Sequence, residues 1–176
     1  PEEINRIVVD RVSSYHFAPT ELQREHLRKE GIVDSVFVVG NLIADVVKEN
    51  LPKALARGSE RKKLGLAPRS YFFATVHRQW GVDSPKNFQN LLNGLGQVSA
   101  LYNLPVIYPI HPRSRKNLAL FSLAVPDDVR LIEPTDYFNF LALASEAKLL
   151  LSDSGGIQEE AAIMRVPLVT LRENTE

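Results

Sequence analysis

Asp153-Ser154-Gly155-Gly156-Ile157-Gln158-Glu159-Glu160 follows the apolar run Lys148-Leu149-Leu150-Leu151-Ser152 and opens a helix-like segment from Ile157 to Met164. Strand, glycine bend and helix in that order suit an anion. The glycines let backbone N–H groups come close to a phosphate, and the helix beyond turns its unpaired N–H groups and positive dipole end to the same point. Ser154 adds a hydroxyl donor. Glu160 stands six residues after Ser154, about 9 Å along the helix at about 1.5 Å per residue. A carboxylate there can accept hydrogen bonds from a ribose diol. Asp-Ser-Gly-Gly is also an ordinary turn and helix cap that needs no ligand, so the octapeptide alone leaves both readings open.

Outward from this run, strand-like and helix-like segments alternate, which predicts an α/β protein with a parallel sheet covered by helices. Ile4 to Ser13 reads as a helix and Tyr15 to Pro19 as a short strand; Thr20 then caps a polar helix ending near Lys29. Val36 to Val39 is a strand, and Gly40-Asn41 leads into a helix with Asn41 as N-cap. Leu42, Ile43, Val46, Val47 and Leu51 recur there at three and four residues, which predicts one buried face. From Pro52 to Arg69 the chain turns basic and polar, broken by Gly58, Gly65 and Pro68, and reads as surface. Ser70 to Val76 is an apolar strand that begins the main domain. The stripe Phe88, Leu91, Leu92, Leu95, Val98 and Leu101 is helical. Strands at Pro105 to Ile110, Val129 to Ile132, Lys148 to Ser152 and Pro167 to Leu171 follow, with helices near Ser114 to Phe121 and Tyr137 to Ala147 between them.

In an open sheet of this kind ligands collect outside the carboxyl ends of the strands. His77-Arg78, His111-Pro112-Arg113, Glu133 to Asp136, Ser154 to Gly156 and Arg172 all fall at such ends. An isolated histidine is commonly a structural hydrogen-bonding residue, but strand-end placement beside an arginine favours ligand contact for His77 and His111. Both residue types donate charge-assisted hydrogen bonds to a diphosphate. His16 and His26, inside a strand and a polar helix, read as structural. Tyr137 and Phe140 fit either plain core or base stacking. The four histidines lack metal-binding spacing, so no catalytic metal and no cofactor are expected.

Composition narrows the partners. Lys plus Arg equals Asp plus Glu at 21 each, so no net field recruits nucleic acid or an anionic membrane, and phosphate recognition must be local. With 176 residues and 44% hydrophobic content the chain can bury one sizeable core. The absence of cysteine excludes disulfides and thiol nucleophiles and fits a cytoplasmic protein. No apolar run approaches the ~20 residues that span a bilayer.

The octapeptide resembles a signature of the UDP-N-acetylglucosamine 2-epimerase family, non-hydrolysing branch, and further segments agree in order. Pro1-Glu2-Glu3-Ile4-Asn5-Arg6 resembles the family's Pro-Glu-Glu-x-Asn-Arg helix, and Phe17-Ala18-Pro19-Thr20 and Val39-Gly40-Asn41 its next landmarks. Thr75-Val76-His77-Arg78 resembles its Thr-x-His-Arg motif, and Arg172-Glu173-Asn174-Thr175-Glu176 the start of its Arg-x-x-Thr-Glu-Arg-Pro-Glu segment. Where the family continues with Glu-Asn after His-Arg, Gln79-Trp80 intervene here and Asn87 comes late.

The resemblance implies a two-domain GT-B-like fold (glycogen phosphorylase/glycosyltransferase-like) of which this chain is a truncated part. Residues 1–40 would be a remnant of the first Rossmann-like domain, 41–69 connecting helices, and 70–176 an incomplete UDP-binding Rossmann-like domain. It further implies C2 epimerisation of UDP-N-acetylglucosamine to UDP-N-acetylmannosamine through elimination and re-addition of UDP, by a homodimeric parent, with the fragment itself inactive. On the matching positions Glu2 supplies a catalytic carboxylate and His77 contacts the leaving diphosphate. Ser154, Gly155, Gly156 and Glu160 bind the nucleotide, Phe140 lines the uracil site, and Arg78 and His111 lie near a substrate or effector pocket. Without the resemblance, Glu2 and Glu3 read as acids favoured in a first helical turn. A hydrolysing epimerase or GT-B glycosyltransferase using a UDP-sugar, and a non-catalytic nucleotide-binding module, are the alternatives.

Overall fold

The computed structural model describes residues 2–57 and 60–172, the side chain of Glu2 excepted. Glu173 to Glu176 and the expected break at Gly58 lie outside the described residues. The chain divides into two compact units, Pro1–Asp45 and Val46–Glu176.

In the first unit α1 (Glu2–Val12) precedes β1 (His16–Ala18), α2 (Glu21–Lys29) and β2 (Val36–Val38). The strands pair in parallel, His16 opposite Val36 and Ala18 opposite Val38. Thr20 caps α2 by accepting from the Leu22 N–H at 3.2 Å. On α1 the Arg6 guanidinium reaches Glu3 at 2.7 Å, Asp10 at 2.8 Å and Glu30 of the α2 C-cap at 2.7 Å. His16 is structural: its Nε2 lies 2.8 Å from the Asp10 carbonyl.

Across the division runs α3 (Leu42–Ala56), whose first turn is capped by the Asn41 side chain accepting from the Ile43 N–H at 2.9 Å. Its buried face differs from the expected one. Val47 and Ala54 are buried and Ile43 and Leu51 half-buried, but Leu42 and Val46 are 69% and 43% exposed. Ile43, Val47, Leu51 and Ala54 form one row at spacings of three and four; Leu42 and Val46 form the adjacent row, about 100° round the helix.

The second unit continues with α4 (Glu60–Lys63), β3 (Phe72–Thr75), α5 (Gln79–Val82), α6 (Pro85–Tyr102), β4 (Val106–Pro109) and α7 (Pro112–Leu120). It ends with β5 (Val129–Ile132), α8 (Tyr137–Glu146), β6 (Leu149–Ser152), α9 (Gly155–Met164) and β7 (Leu168–Thr170). Five strands pair in parallel in the order β5-β4-β3-β6-β7. A strand covered on both faces has no polar side to alternate with, which is why β3, β4 and β6 read as nearly unbroken apolar runs.

Two cores flank this sheet. Phe72, Ala74, Val106, Tyr108 and Leu151 pack on one face against Phe88, Leu92 and Leu95 of α6 and Leu118 of α7. Phe73, Ile107 and Leu150 pack on the other against Leu143 and Ala144 of α8 and Ala161 of α9. This is the Rossmann-like arrangement, with helices on both faces. Each parallel crossover in a sheet is right-handed, so a helix changes face when the chain changes its direction of travel. After β3 the chain moves outward to β4 and β5; it then returns past β3 to lay down β6 and β7. The switch point therefore falls between β3 and β6.

Two buried tyrosine hydroxyls are matched. Tyr108 donates its hydroxyl to the Val76 carbonyl at 2.7 Å, and Tyr71 donates to Leu143 at 2.5 Å. Arg61 of α4 pairs with Glu146 of α8 at 2.7 Å, which holds the basic 52–69 segment against the domain. In α6 the predicted stripe is buried at Phe88, Leu92 and Leu95, but Leu101 is 76% exposed. That last turn borders an apolar groove of about 620 Å³ between α6 and the β6–β7 side of the sheet.

Gly96 and Gly94 of α6 make a paired test of packing. A Cβ on Gly96 would meet Pro126 carbons at 2.7 and 2.8 Å, whereas one on Gly94 meets nothing within 4 Å. Gly96→Ala is expected to destabilise by about 1–3 kcal/mol through overpacking, and Gly94→Ala to stabilise by about 0.5–1 kcal/mol through the lost chain entropy of glycine. Urea unfolding of both variants reads the difference in sign.

Candidate active site

The site grows from the tips of β3, β4, β5 and β6, which the parallel sheet delivers to one edge. A cleft of about 310 Å³ opens there, lined by His77 after β3, His111 after β4, Pro134 and Thr135 after β5, and Tyr137 and Phe140 of α8. Of the five strand ends singled out in the sequence, those of β3, β4 and β5 line this cleft; β3 is central in the sheet, between β4 and β6.

Beside His77, β3 and β6 run in register from Phe72 opposite Leu149 to Thr75 opposite Ser152. The hydroxyls of Thr75 and Ser152 lie 2.8 Å apart, and Ser152 Oγ accepts from the Ser154 N–H at 3.1 Å. One residue on, Asp153 is 1% exposed and its carboxylate crosses to the β3 tip. Oδ2 accepts the His77 N–H at 2.9 Å and the Arg78 N–H at 2.7 Å. Oδ1 stands 3.2 Å from His77 Nδ1, an ion-pair distance lying off the line of a well-aligned hydrogen bond.

Burial alone would raise the Asp153 pKa. The His77 ring and the two backbone N–H groups outweigh it and hold the carboxyl below its ordinary value. His77 responds in the opposite sense: the Asp153 carboxylate raises its pKa against partial desolvation and the Arg78 charge.

Ser154 takes the N-cap position of α9 with extended backbone, and its side chain makes no capping hydrogen bond. The glycines stand within the first turn of α9, which begins two residues earlier than the sequence pattern suggested. The first N–H groups of a helix have no partner within it, and here they follow directly on the β6 tip, whose Asp153 contacts His77. A Cβ on Gly156 would meet nothing within 4 Å, so nothing in the fold requires glycine there.

Glu160 sits further along α9, half-buried, where the Tyr137 hydroxyl acts on its carboxyl. Desolvation raises the Glu160 carboxyl, with the Glu159 charge adding to it and the Tyr137 hydrogen bond opposing. The phenol is pushed up to about 12 by burial and by Glu160. Tyr137 stacks on Phe140 with centroids 6.2 Å apart, and Phe140 leans on Phe73 of the core at 5.9 Å. Phe140 therefore serves core and cleft at once. Asp136 caps α8 by accepting from the Asn139 N–H at 2.7 Å.

His111 is exposed and acts as the N-cap of α7, its Nδ1 accepting from the Arg113 N–H at 3.2 Å. That bond leaves Nε2 as the protonated nitrogen of the neutral ring. Arg78 stands at the N-cap of α5, a single turn built by the Gln79-Trp80 segment. The late Asn87 reaches back to this turn, donating to the Trp80 carbonyl at 2.8 Å. Asn117 of α7 holds its far end, donating to Val82 O at 2.9 Å and Asp83 at 3.0 Å. Glu2 opens α1 in the other unit, and its side chain lies outside the described residues.

The residue that sequence reading missed is Asp153. In sequence it stands in a glycine bend, whereas its partners lie 75 and 76 residues away. Its one local signal was an acid directly after an apolar strand, a position facing the edge of the sheet.

A doubly wound sheet with donors and a cation gathered at its switch point defines an α/β protein of the Rossmann-like, ligand-binding class. Residues 1–176 match the family described as UDP-N-acetylglucosamine 2-epimerase, and the chain belongs to that family. It is 42% identical over its whole length to a UDP-N-acetylglucosamine 2-epimerase of Methanocaldococcus jannaschii, covering 50% of that protein. A crystal structure of the M. jannaschii enzyme in complex with UDP-GlcNAc and UDP superposes with a TM-score of 0.87 at 42% identity, over 99% of this chain and 50% of that one. A Pseudomonas aeruginosa UDP-2,3-diacetamido-2,3-dideoxy-D-glucuronate 2-epimerase is 33% identical over the whole chain, which covers 48% of it. The chain spans about half the length of the curated relatives it matches. The GT-B-like fold class expected from the sequence holds.

The Tyr137 hydroxyl stabilises the ionised form of Glu160, so Tyr137→Phe is expected to raise the Glu160 pKa further above its ordinary value. A carboxyl whose folded pKa is raised loses stability as pH rises through that pKa. The variant should therefore cost more stability at pH 7 than at pH 4. Carbon-detected titration of the Glu160 carboxyl and urea unfolding at the two pH values check both.

Proposed function

We propose that the full-length protein carrying this chain interconverts UDP-N-acetylglucosamine and UDP-N-acetylmannosamine by epimerisation at C2. Loss of the C2 proton to a base and departure of UDP from C1 leave a C1–C2 double bond. UDP then adds back to C1 while C2 is reprotonated on the opposite face. Two demands follow: a positioned base for an unactivated C–H, and stabilisation of the negative charge that develops on the leaving diphosphate. The observation that carries the reading is the seat of His77 beside the α9 N-terminus in a chain of this family.

In this reading His77 and the N–H groups of Gly155 and Gly156, with the Ser154 hydroxyl, receive the diphosphate. Glu160 accepts from the ribose diol, displacing or sharing the Tyr137 hydroxyl, and Phe140 provides the flat apolar wall for uracil. Arg78 and His111 face the sugar or an effector from the neighbouring tips. Glu2 supplies a catalytic carboxylate. The same reading assigns residues 1–40 to the first domain, 41–69 to the connection and 70–176 to the UDP-binding domain of a cytoplasmic homodimer that takes a UDP-sugar and needs no added cofactor. Among the described residues no helix is long and apolar enough to cross a membrane.

One relative acts, by its name, on a diacetamido glucuronate sugar, which favours a second reading in which C2 epimerisation is kept and the sugar differs. The full-length protein incubated with UDP-N-acetylglucosamine in deuterated water is expected to yield UDP-N-acetylmannosamine carrying deuterium at C2. Free N-acetylmannosamine plus UDP would instead mean hydrolysis, sugar on an acceptor would mean glycosyl transfer, and saturable UDP binding without turnover a binding module. Turnover only of the diacetamido uronate would select the second reading. Gly156→Ala separates fold from ligand: it should leave the melting temperature unchanged or slightly raised, since its Cβ enters open space, while weakening UDP binding by about tenfold or more, because the methyl keeps the diphosphate from close approach to the retained N–H and a hydrogen bond to a charged group is worth about 1.5–3 kcal/mol. Calorimetric titration with UDP reads it.

A further inference from the structure

We infer that Asp153 is a positioning residue for His77, fixing both the peptide on which the imidazole is mounted and the ring nitrogen it turns toward the cleft. This rests on the proposal that His77 meets the leaving diphosphate. Asp153 is buried at the tip of β6, and both carboxylate oxygens are directed at one partner segment. Oδ2 takes the two consecutive N–H groups of His77 and Arg78, which lie just beyond the end of β3. Oδ1 lies 3.2 Å from His77 Nδ1. A carboxylate at that distance favours the imidazolium, the ring form in which Nδ1–H faces Asp153 and Nε2–H is left as a donor for the cleft.

An aspartate one residue before a helix N-cap would ordinarily serve that helix, where its charge meets the positive dipole end. Asp153 does not. Its carboxylate is spent on the β3 tip, and Ser152 Oγ supplies the acceptor for the Ser154 N–H. The first N–H groups of α9 are thereby left for an external anion, and the nearest negative charge is matched by a histidine that the same anion would meet. The other groups around the ring are the Arg78 charge, which opposes protonation, and His111 and Tyr137 across the cleft, the latter tied to Glu160.

Simple charge counting and positioning predict opposite results for Asp153→Asn. Removing a negative charge near a diphosphate should by itself tighten UDP-sugar binding and leave kcat alone. Positioning predicts a kcat about 10–100-fold lower, by analogy with the loss of a carboxylate that orients a metal-bound histidine, with KM little changed. It also predicts an alkaline limb of the kcat/KM profile moved to lower pH, because His77 loses the carboxylate that favours its proton. In the full-length enzyme a His77→Gln background should absorb the Asp153→Asn effect, the double variant being no slower than His77→Gln alone. Additive losses, or an unmoved alkaline limb, overturn the inference. A His77→Gln enzyme with undiminished kcat overturns instead the reading that His77 meets the diphosphate. Should Asp153→Asn fail to fold, nitrogen NMR of the wild-type ring decides: protonation of Nδ1 persisting above the ordinary histidine pKa of about 6.5 supports the inference, and titration at or below it overturns it.

Discussion

A carboxylate taken out of water at the tip of a strand costs several kcal/mol unless it is fully matched. Asp153 meets that cost with two backbone N–H groups and a histidine ring, all from the neighbouring strand tip. Hydrogen bonds to a charged acceptor are worth about 1.5–3 kcal/mol each, so two of them offset much of the desolvation and the ring adds to it. The consequence is geometric. β3 and β6 cannot slide against each other, nor can the His77-Arg78 peptide leave the β6 tip, without stranding that charge. The position of the cleft's central histidine is therefore a property of the sheet and not of a loose loop.

The sheet order explains why this contact falls where it does. β3 and β6 are adjacent, but the helices that follow them pack on opposite faces, so their tips diverge and leave a crevice. α5 and α6 leave from one side of that crevice and α9 from the other. A side chain at the β6 tip is then one of the few groups able to bridge it, and a short acidic one reaches across without filling it. Ser152 and Thr75 close the floor by joining hydroxyls one residue earlier.

Most of the domain was legible in the amino-acid order, because its strands and helices are specified by local pattern. β5 runs from Val129 to Ile132 as its β-branched residues suggest, and α8 and β6 begin within one residue of where the pattern put them. At α7 the helix starts two residues before the Ser114 that the pattern suggests: Pro112 takes the first helical position, where a missing N–H costs nothing. α5 was invisible because Gln79-Trp80-Gly81-Val82 has no helical period of its own and is held by Asn87 and Asn117 from two other helices. The same cause hid Asp153. His77, His111 and the glycine bend announce themselves by type and by strand-end position, whereas a positioning carboxylate is defined by partners that only the folded sheet brings near.

The two sides of the cleft differ in how tightly they are held, and the difference follows from their chemistry. On the β3–β6 side every group rests on backbone: His77 through its own N–H, the α9 amides through the helix they begin. On the α8 side Phe140 is wedged against Phe73, while Tyr137 is held by stacking and faces a carboxyl whose pKa is already raised. A ligand bearing a diol would compete for that carboxyl and for nothing else on this wall. Tyr137 would then be released without disturbing Phe140, because the core contact belongs to the phenylalanine. The β3–β6 side is thus fixed by the backbone, and the α8 side can yield at Tyr137 while Phe140 stays with the core.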